Sequence, residues 1–546
     1  MAVSKVSHNV VATALPTTPT NDEEKWPNND TNPPPEGYEY ITGLKLYLVL
    51  ASVTLIAFLI MLDMSIIVTA IPQITTDFHA LSDVGWYGSA YLLANCALQP
   101  LTGKLYTQFS SKYTFLSFLA LFELGSTLCG AAQSSNMLII GRAVAGLGGS
   151  GLTNGALTIL GAAVPLEKRA AVLGIMFGLS QTGAIAAPLL GGALTQYASW
   201  RWCFYINLPI GGVISAFLLM IRIPDRVEHS SKSSSTALMK KLDLAGFLIF
   251  APSSVMFLMA LQWGGTQYPW NSATIIGLFS GSGVSFIVFV LWEYRVGDDA
   301  MVPLSIIRQQ VVWSACLFIA FFFGAIVAFS YYMPIYFQVV RGVSPTLSGV
   351  YLLPSILSQM VLAVVSGLLV SKMHHYFPWA VASAVFTSIG CGLLSTLSPN
   401  TSSGKWIGYQ ILLGIGRGCG FQMPIIAIQN TLSPQQNPIG MALVGFSQTL
   451  GGSIFLSLAQ TIFSRSLIDG LAQYAPGVDA NQVIKAGGSG LRQTLPVADL
   501  PGALKAFNLG VDHTFYLATG ASAATFVLAF TMGWHRIGTK EAIIKD

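Results

Sequence analysis

Uncharged apolar runs of about 20 residues recur along nearly the whole chain, and short segments between them hold almost all of the charge. A run of that length crosses the roughly 30 Å hydrocarbon core of a bilayer as a helix. In lipid, only helices and closed barrels satisfy every backbone N–H and C=O. The pattern predicts fourteen membrane helices, over 46–72, 84–103, 113–133, 137–162, 170–195, 202–222, 243–263, 272–294, 312–338, 346–371, 379–397, 405–430, 438–464 and 513–534. The fold class is an all-α polytopic membrane protein. The stretch before the first run, 1–44, contains "PTTPTNDEEKWPNNDTNPPPEG" and reads as a disordered tail. The first apolar run is too long and too far in for a cleaved signal peptide.

Composition agrees with the pattern. Of 546 residues, 53% are hydrophobic and 9% charged, against about 25% charged in soluble domains. The net charge of +4 is spread over loops, which argues against a nucleic-acid partner. Charge also orients the chain. With the amino terminus in the cytoplasm, eighteen Lys and Arg fall on the cytoplasmic side and seven on the other, four of them in the long segment 465–512. The positive-inside rule favours that orientation, with both termini cytoplasmic. The six cysteines sit in apolar segments and read as small buried hydrophobes. The seven histidines fall in tails, loops or span ends, so no metal or haem site is expected inside the membrane.

Two segments recur at one offset. "GLSQTG" in span five returns as "GFSQTL" in span thirteen, and "GLGGSG" in span four returns as "GIGRGCG" in span twelve, about 268 residues on. Parallel repeats of six spans are a known transporter architecture. The repeat predicts a six-helix bundle over 45–222, a cytoplasmic linker over 223–242 and two inserted helices over 243–295. A second six-helix bundle follows over 296–534, with the non-cytoplasmic loop 465–512 within it, and then a cytoplasmic tail over 535–546.

Four segments carry a family resemblance. "LDMSIIVTAIP" (Leu62–Pro72), "IIGRAVAGLGGSG" (Ile139–Gly151), "GAIAAPLLGG" (Gly183–Gly192) and "SWRWCFYINLPIG" (Ser199–Gly211) lie in that order. They resemble the first-helix, fourth-helix, antiporter and sixth-helix motifs of the fourteen-span drug/proton antiporters of the major facilitator superfamily. "DVGWYGSAYLL", "GKLYTQFSSK" and "VPLEKR" resemble the wording of the fungal branch. The resemblance implies the major facilitator fold and export of toxins, antifungal drugs or secondary metabolites by proton antiport. It implies no cofactor, a proton gradient as the energy source and a monomer in a lipid bilayer. The plasma membrane is the expected location, with the vacuolar membrane as the alternative. The chain departs from the pattern in the loop after span two. The usual acidic and first basic positions are Thr107 and Gln108, and Ala187 stands where a glycine usually precedes Pro188.

Small residues at four-residue spacing let membrane helices approach closely. Gly174 and Gly178 form one such pair; Gly183, Ala187 and Gly191, with Gly192 beside them, continue a neighbouring stripe, and Pro188 bends it. Such a surface suits movement of one half against the other. Ionisable residues inside a span are costly and face the protein interior. Asp63 and Arg142, in spans one and four, are expected to interact, either with Asp63 accepting a proton and Arg142 tuning it or as a permanently ionised structural pair. Glu123 in span three is a second candidate proton carrier, or else a neutral, hydrogen-bonded side chain of a peripheral helix. Arg417 in span twelve either receives an anionic group of the substrate or pairs with carbonyls. Gln181, Gln422, Gln429 and Gln448 either line a cavity or join helices. Trp200, Arg201 and Trp202 read as an interfacial anchor, and Asn400 of Asn-Thr-Ser as a glycosylation acceptor.

Two rival functions remain: proton-coupled uptake, for instance of a siderophore or sugar, and a non-transporting membrane sensor. The antiporter motif favours export, and retained Asp63 and Arg142 argue against a sensor. No H-E-x-x-H, nucleophile elbow with suitable partners or P-loop is found, so neither an enzyme nor direct ATP drive is expected.

Overall fold

A computed structural model of the chain describes residues 41–80, 83–221, 223, 241–265, 267–478, 496 and 499–537. The predicted tail up to residue 40, nearly all of the linker and part of the 465–512 loop lie outside the described residues.

Fourteen long helices follow one another: α1 Gly43–Phe78, α2 Val84–Gln108, α3 Ser111–Gly130, α4 Ser135–Ala163, α5 Leu166–Tyr197, α6 Trp202–Met220, α7 Leu244–Trp263, α8 Ala273–Val296, α9 Gln310–Ile335, α10 Leu353–Met373, α11 Phe377–Leu394, α12 Ser403–Thr431, α13 Asn437–Tyr474 and α14 Leu500–Thr531. Thirteen of them are long and apolar enough to cross a membrane, and α2 is the exception in hydropathy. At 1.5 Å per residue, the 25 residues of α2 still give about 37 Å, enough to span. Several helices outrun their apolar runs. α13 continues to Tyr474 and α14 starts at Leu500, so both ends of the expected 465–512 loop are helical.

The packing repeats. In the first half α1 lies on α5, α2 and α3 on α4, and α6 on α1 and α3. In the second half α9 lies on α13, α10 and α11 on α12, and α14 on α9 and α11. The inserted helices α7 and α8 pair with each other, sharing reciprocal bonds from the hydroxyls of Ser253 and Ser282 to each other's carbonyls at 2.9 Å. Of the two, α7 docks on α2 and α13, and α8 lies against α7. Glycines make the repeat close-packed. Gly146 abuts the Tyr91 carbonyl and Gly148 the Phe122 backbone; Gly414 abuts the Ser355 carbonyl and Gly416 the Thr387 backbone. A central helix wedged between two neighbours needs small residues on two faces, which explains why α4 and α12 tolerate such poor helix formers.

Across the halves, α5 runs along α10 and α2 along α13. We call the side carrying the basic loops the basic face. There one apolar core passes through both halves, joining Val49, Leu160 and Met176 to Ile319, Ile428 and Val444. On the opposite face the core divides. Leu62, Ile66, Tyr87 and Phe204 belong to the first half, while Phe329, Tyr336, Trp406 and Phe515 belong to the second. Among the described residues the halves share one core on the basic face, whereas on the other face each has its own, and a small cluster around Leu93, Cys96 and Leu258 links α2, α7 and α13.

Candidate functional site

Asp63 sits midway along α1 and Arg142 within the second turn of α4. Both are shut off from solvent, at 0% and 1% exposure. Arg142 Nη1 donates to Asp63 Oδ2 at 2.7 Å, and its Nε donates to the Tyr87 carbonyl at 3.0 Å. The guanidinium carbon lies 4.7 Å from the centre of the Tyr91 ring. Asp63 Oδ1 accepts from Asn207 Nδ2 at 3.1 Å, and the same amide donates to Ser126 Oγ at 3.0 Å. Four helices, α1, α3, α4 and α6, thus converge with α2 on one carboxylate. A buried charge is tolerable only when paired and hydrogen-bonded, and here both oxygens of Asp63 are occupied.

Asn207 is the member that the sequence reading passed over, placing it only within the span-six entry motif. It sits where the short helix Trp202–Tyr205 gives way to Asn207–Met220. The one signal for it is an amide in an otherwise apolar run. Glu123 lies on α3 against Gly211 of α6, and neither carboxylate oxygen has a hydrogen-bond partner.

The other candidates separate into two kinds. Gln422 Nε2 donates to the Ala363 carbonyl at 3.1 Å and to Ser366 Oγ at 3.0 Å, tying α12 to α10. Gln429 Nε2 reaches the Leu157 carbonyl of α4 at 3.4 Å, tying the two halves. Gln181 and Gln448 are half-buried and hydrogen-bond no protein group among the described residues. Arg417 is buried, with Phe329 5.5 Å from its guanidinium carbon and its Nε unpartnered. Trp200 donates from its indole to Asp77 at 2.8 Å, and the Arg201 guanidinium caps the Ala132 carbonyl at 2.9 Å while stacking on Trp200. Asn400 is exposed between α11 and α12.

The small-residue stripe of α5 changes partner along its length. Gly174 abuts the Ala363 carbonyl and Gly367, and Gly178 abuts Met360 and Val364, all on α10 of the other half. The Ala171 N–H donates to Ser371 Oγ beside them at 3.0 Å. Gly183 and Gly191 instead face α1, at Phe58 and Ile66, and Ala187 is buried in the first-half core. Pro188 is exposed, and Gly192 has open space beside its Cα. At the altered loop after α2, Lys112 Nζ caps the end of α6 through the Leu219 and Ile221 carbonyls at 2.9 and 2.8 Å. Lys104 Nζ binds the Asp299 carbonyl beyond α8 at 3.1 Å.

Two pseudo-equivalent helical bundles that share a core on the basic face, with one buried ion pair among the described residues, form a membrane transporter architecture. The chain belongs to the major facilitator superfamily, whose model matches residues 53–456. It is 57% identical over 531 residues to efflux pump mlcE of Penicillium citrinum, covering 96% of each chain. It is 53% identical to the MFS-type transporter pigP of Monascus ruber, covering 93% of this chain and 89% of that one. The crystal structure of the human organic anion transporter MFSD10 superposes with a TM-score of 0.59, covering 89% of this chain and 100% of that one. At 13% identity that likeness speaks for the fold alone.

Proposed function

We propose that this chain exports small amphipathic organic compounds, such as a toxin, an antifungal drug or a secondary metabolite, by proton antiport. The basic face is the cytoplasmic one, the chain works as a monomer without a cofactor, and the proton gradient supplies the energy. The plasma membrane is its place, with the vacuolar membrane the alternative that tagging in the native cell decides. Export follows the relatives, which carry efflux and transporter names at more than half identity.

The observation that carries the proton half of the proposal is the Asp63–Arg142 pair. An ionised Asp63 holds Arg142 and, through Asn207, α6 and α3. A protonated Asp63 no longer balances the guanidinium, so the helices it joins lose their strongest mutual bond. One proton thereby biases the packing of four helices, which is the differential interaction a two-state transporter requires. Asp63 is sealed in the present conformation, so proton exchange belongs to another state of the cycle.

Inverted vesicles from cells expressing the chain provide the test. With the interior acidified, a fluorescent amphipathic tracer should accumulate, and a protonophore should abolish the accumulation. Accumulation indifferent to the protonophore would sink proton drive. Accumulation that needs the gradient in the opposite sense would point to uptake.

A further inference from the structure

Two arginines lie deep inside the spans, and they are treated differently. Arg142 has a carboxylate, a carbonyl and an aromatic ring. Arg417 has neither carboxylate nor carbonyl: the Phe329 ring lies 5.5 Å away and the neutral Cys391 thiol is near. Arg417 is 92% buried, its exposure being 8%. Its guanidinium makes no ion pair and no hydrogen bond among the described residues, and Nε is buried without any partner. A buried cation in that condition is costly, and close packing of α12 on both sides of it fixes it there. Gly414 and Gly418 are pressed onto α10 at Ser355, Ser358 and Gln359.

The surroundings are short of partners in the same way. Gln359 Oε1, Ser383 Oγ and Thr387 Oγ1 are buried and unbonded, on the two helices that flank α12. Native interiors leave few such atoms, and a bound group is one way of satisfying them. We propose that this patch is the substrate subsite of the second half, and that Arg417 receives a carboxylate carried by the exported compound. The inference rests on the export reading above and adds the chemical class of the cargo.

The chemistry selects a carboxylate. A guanidinium presents a planar fork of donors that a carboxylate fills with two parallel bonds. Phe329 holds one face of the fork, leaving its edge for the ligand. A lipid headgroup is excluded by depth, since Arg417 lies about 20 Å along α12 from its Ser403 end at 1.5 Å per residue. The rest of the cargo is apolar, because Phe329 belongs to an aromatic core with Tyr332 and Phe515.

The full chain in lipid nanodiscs tests this with two probes of one shape, pyrenebutyrate and pyrenebutanamide, read by fluorescence anisotropy. The parent should bind the carboxylate at least tenfold more tightly than the amide. Arg417→Gln should lose that preference while its amide affinity stays as in the parent. Arg417→Lys should keep part of it, because the charge remains and the fork is gone; this variant also decides if Arg417→Gln proves unable to fold. A parent that binds pyrenebutyrate no better than the amide, or binds neither, overturns the inference. So does a preference that survives Arg417→Gln, or one that sodium chloride at equal ionic strength removes where sodium gluconate does not, which would mark a small-anion site. Tracer accumulation in vesicles stands apart from these measurements. Export retained without a carboxylate preference refutes the subsite alone, whereas a preference without export refutes the export reading.

Discussion

The two halves can be laid on each other through their glycine contacts, and they part where the first half carries its ion pair. Gly183 meets the Phe58 carbonyl of α1 where Gly451 meets the Ala320 carbonyl of α9. The same step further along each helix leads to Asp63 in the first half and Ala325 in the second. On α4 and α12 the matching positions are Arg142 and Gln410. Their bonds correspond: Arg142 Nε donates to the Tyr87 carbonyl at 3.0 Å, and Gln410 Nε2 donates to the Tyr351 carbonyl at 2.9 Å. The tie from the central helix to its neighbour therefore belongs to the architecture, and a neutral amide makes it. The charge does not. Ala325 and Gln410 are as deeply buried as Asp63 and Arg142, so the scaffold packs well without an ion pair. Since buried ion pairs seldom out-stabilise neutral packing, stability alone is a weak account of the pair in the first half.

That comparison breaks most sharply at Asp63. Asp63→Asn should abolish gradient-driven accumulation and leave Arg142 without its counter-charge. The protein should also lose about 3–5 kcal/mol of stability, visible as a lower thermal midpoint in detergent. Copying the second half into the first, with Asp63→Ala and Arg142→Gln together, should be just as dead in proton-driven transport. It should nonetheless recover most of that stability, because no charge is left unpaired. Recovery of accumulation by this double variant would show the charge to be ornamental.

The next effect concerns the two ends of α5. Gly174→Leu adds bulk where the halves close on the basic face, so it should open that face and leave folding intact. A cysteine introduced in place of Ser371 should then react several-fold faster with a maleimide. Ala187→Leu adds bulk inside one half, so it should cost about 1–3 kcal/mol of stability with no change in that labelling rate. Equal labelling in both variants would mean that the α5–α10 contact is fixed. The smallest effect is at Asn207. Asn207→Ala removes a single neutral donor to Asp63, and at about 1 kcal/mol initial transport rates should fall roughly fivefold with the sense of proton coupling unchanged.

Much of this was legible in the chain, for identifiable reasons. Hydrophobic run length reports the part of a helix that lies in lipid, so all fourteen spans could be counted. It says nothing about turns that continue into water, which is why α1 extends to Phe78 and α14 starts at Leu500. Asp63 and Arg142 stood out because charge inside a span is rare. Asn207 did not, since its partners are far away in sequence and an amide is cheap to overlook. Composition also cannot separate an amide that lines a cavity from one that joins helices. Gln422 and Gln429 have their amide groups bound to neighbouring helices, while Gln181 and Gln448 make no such bonds. The chain shows a small-residue pair and a neighbouring stripe on α5, and only the packing reveals that the two serve different neighbours.

The polarity of α2 has a consequence for how the protein is made. Of the fourteen helices it alone lacks a sufficiently apolar window, because it carries buried Gln99, Thr102 and Lys104 towards the protein interior. On the translocon's scale such a segment gains little by entering lipid unaided. It is synthesised second, yet two of the three helices that cover most of its surface, α7 and α13, emerge long afterwards. During synthesis α2 must therefore be sheltered by α1, α3 and α4, or held by insertion chaperones, until the chain is nearly complete. A chain that stops short of α13 would leave uncovered the face of α2 that α13 packs against.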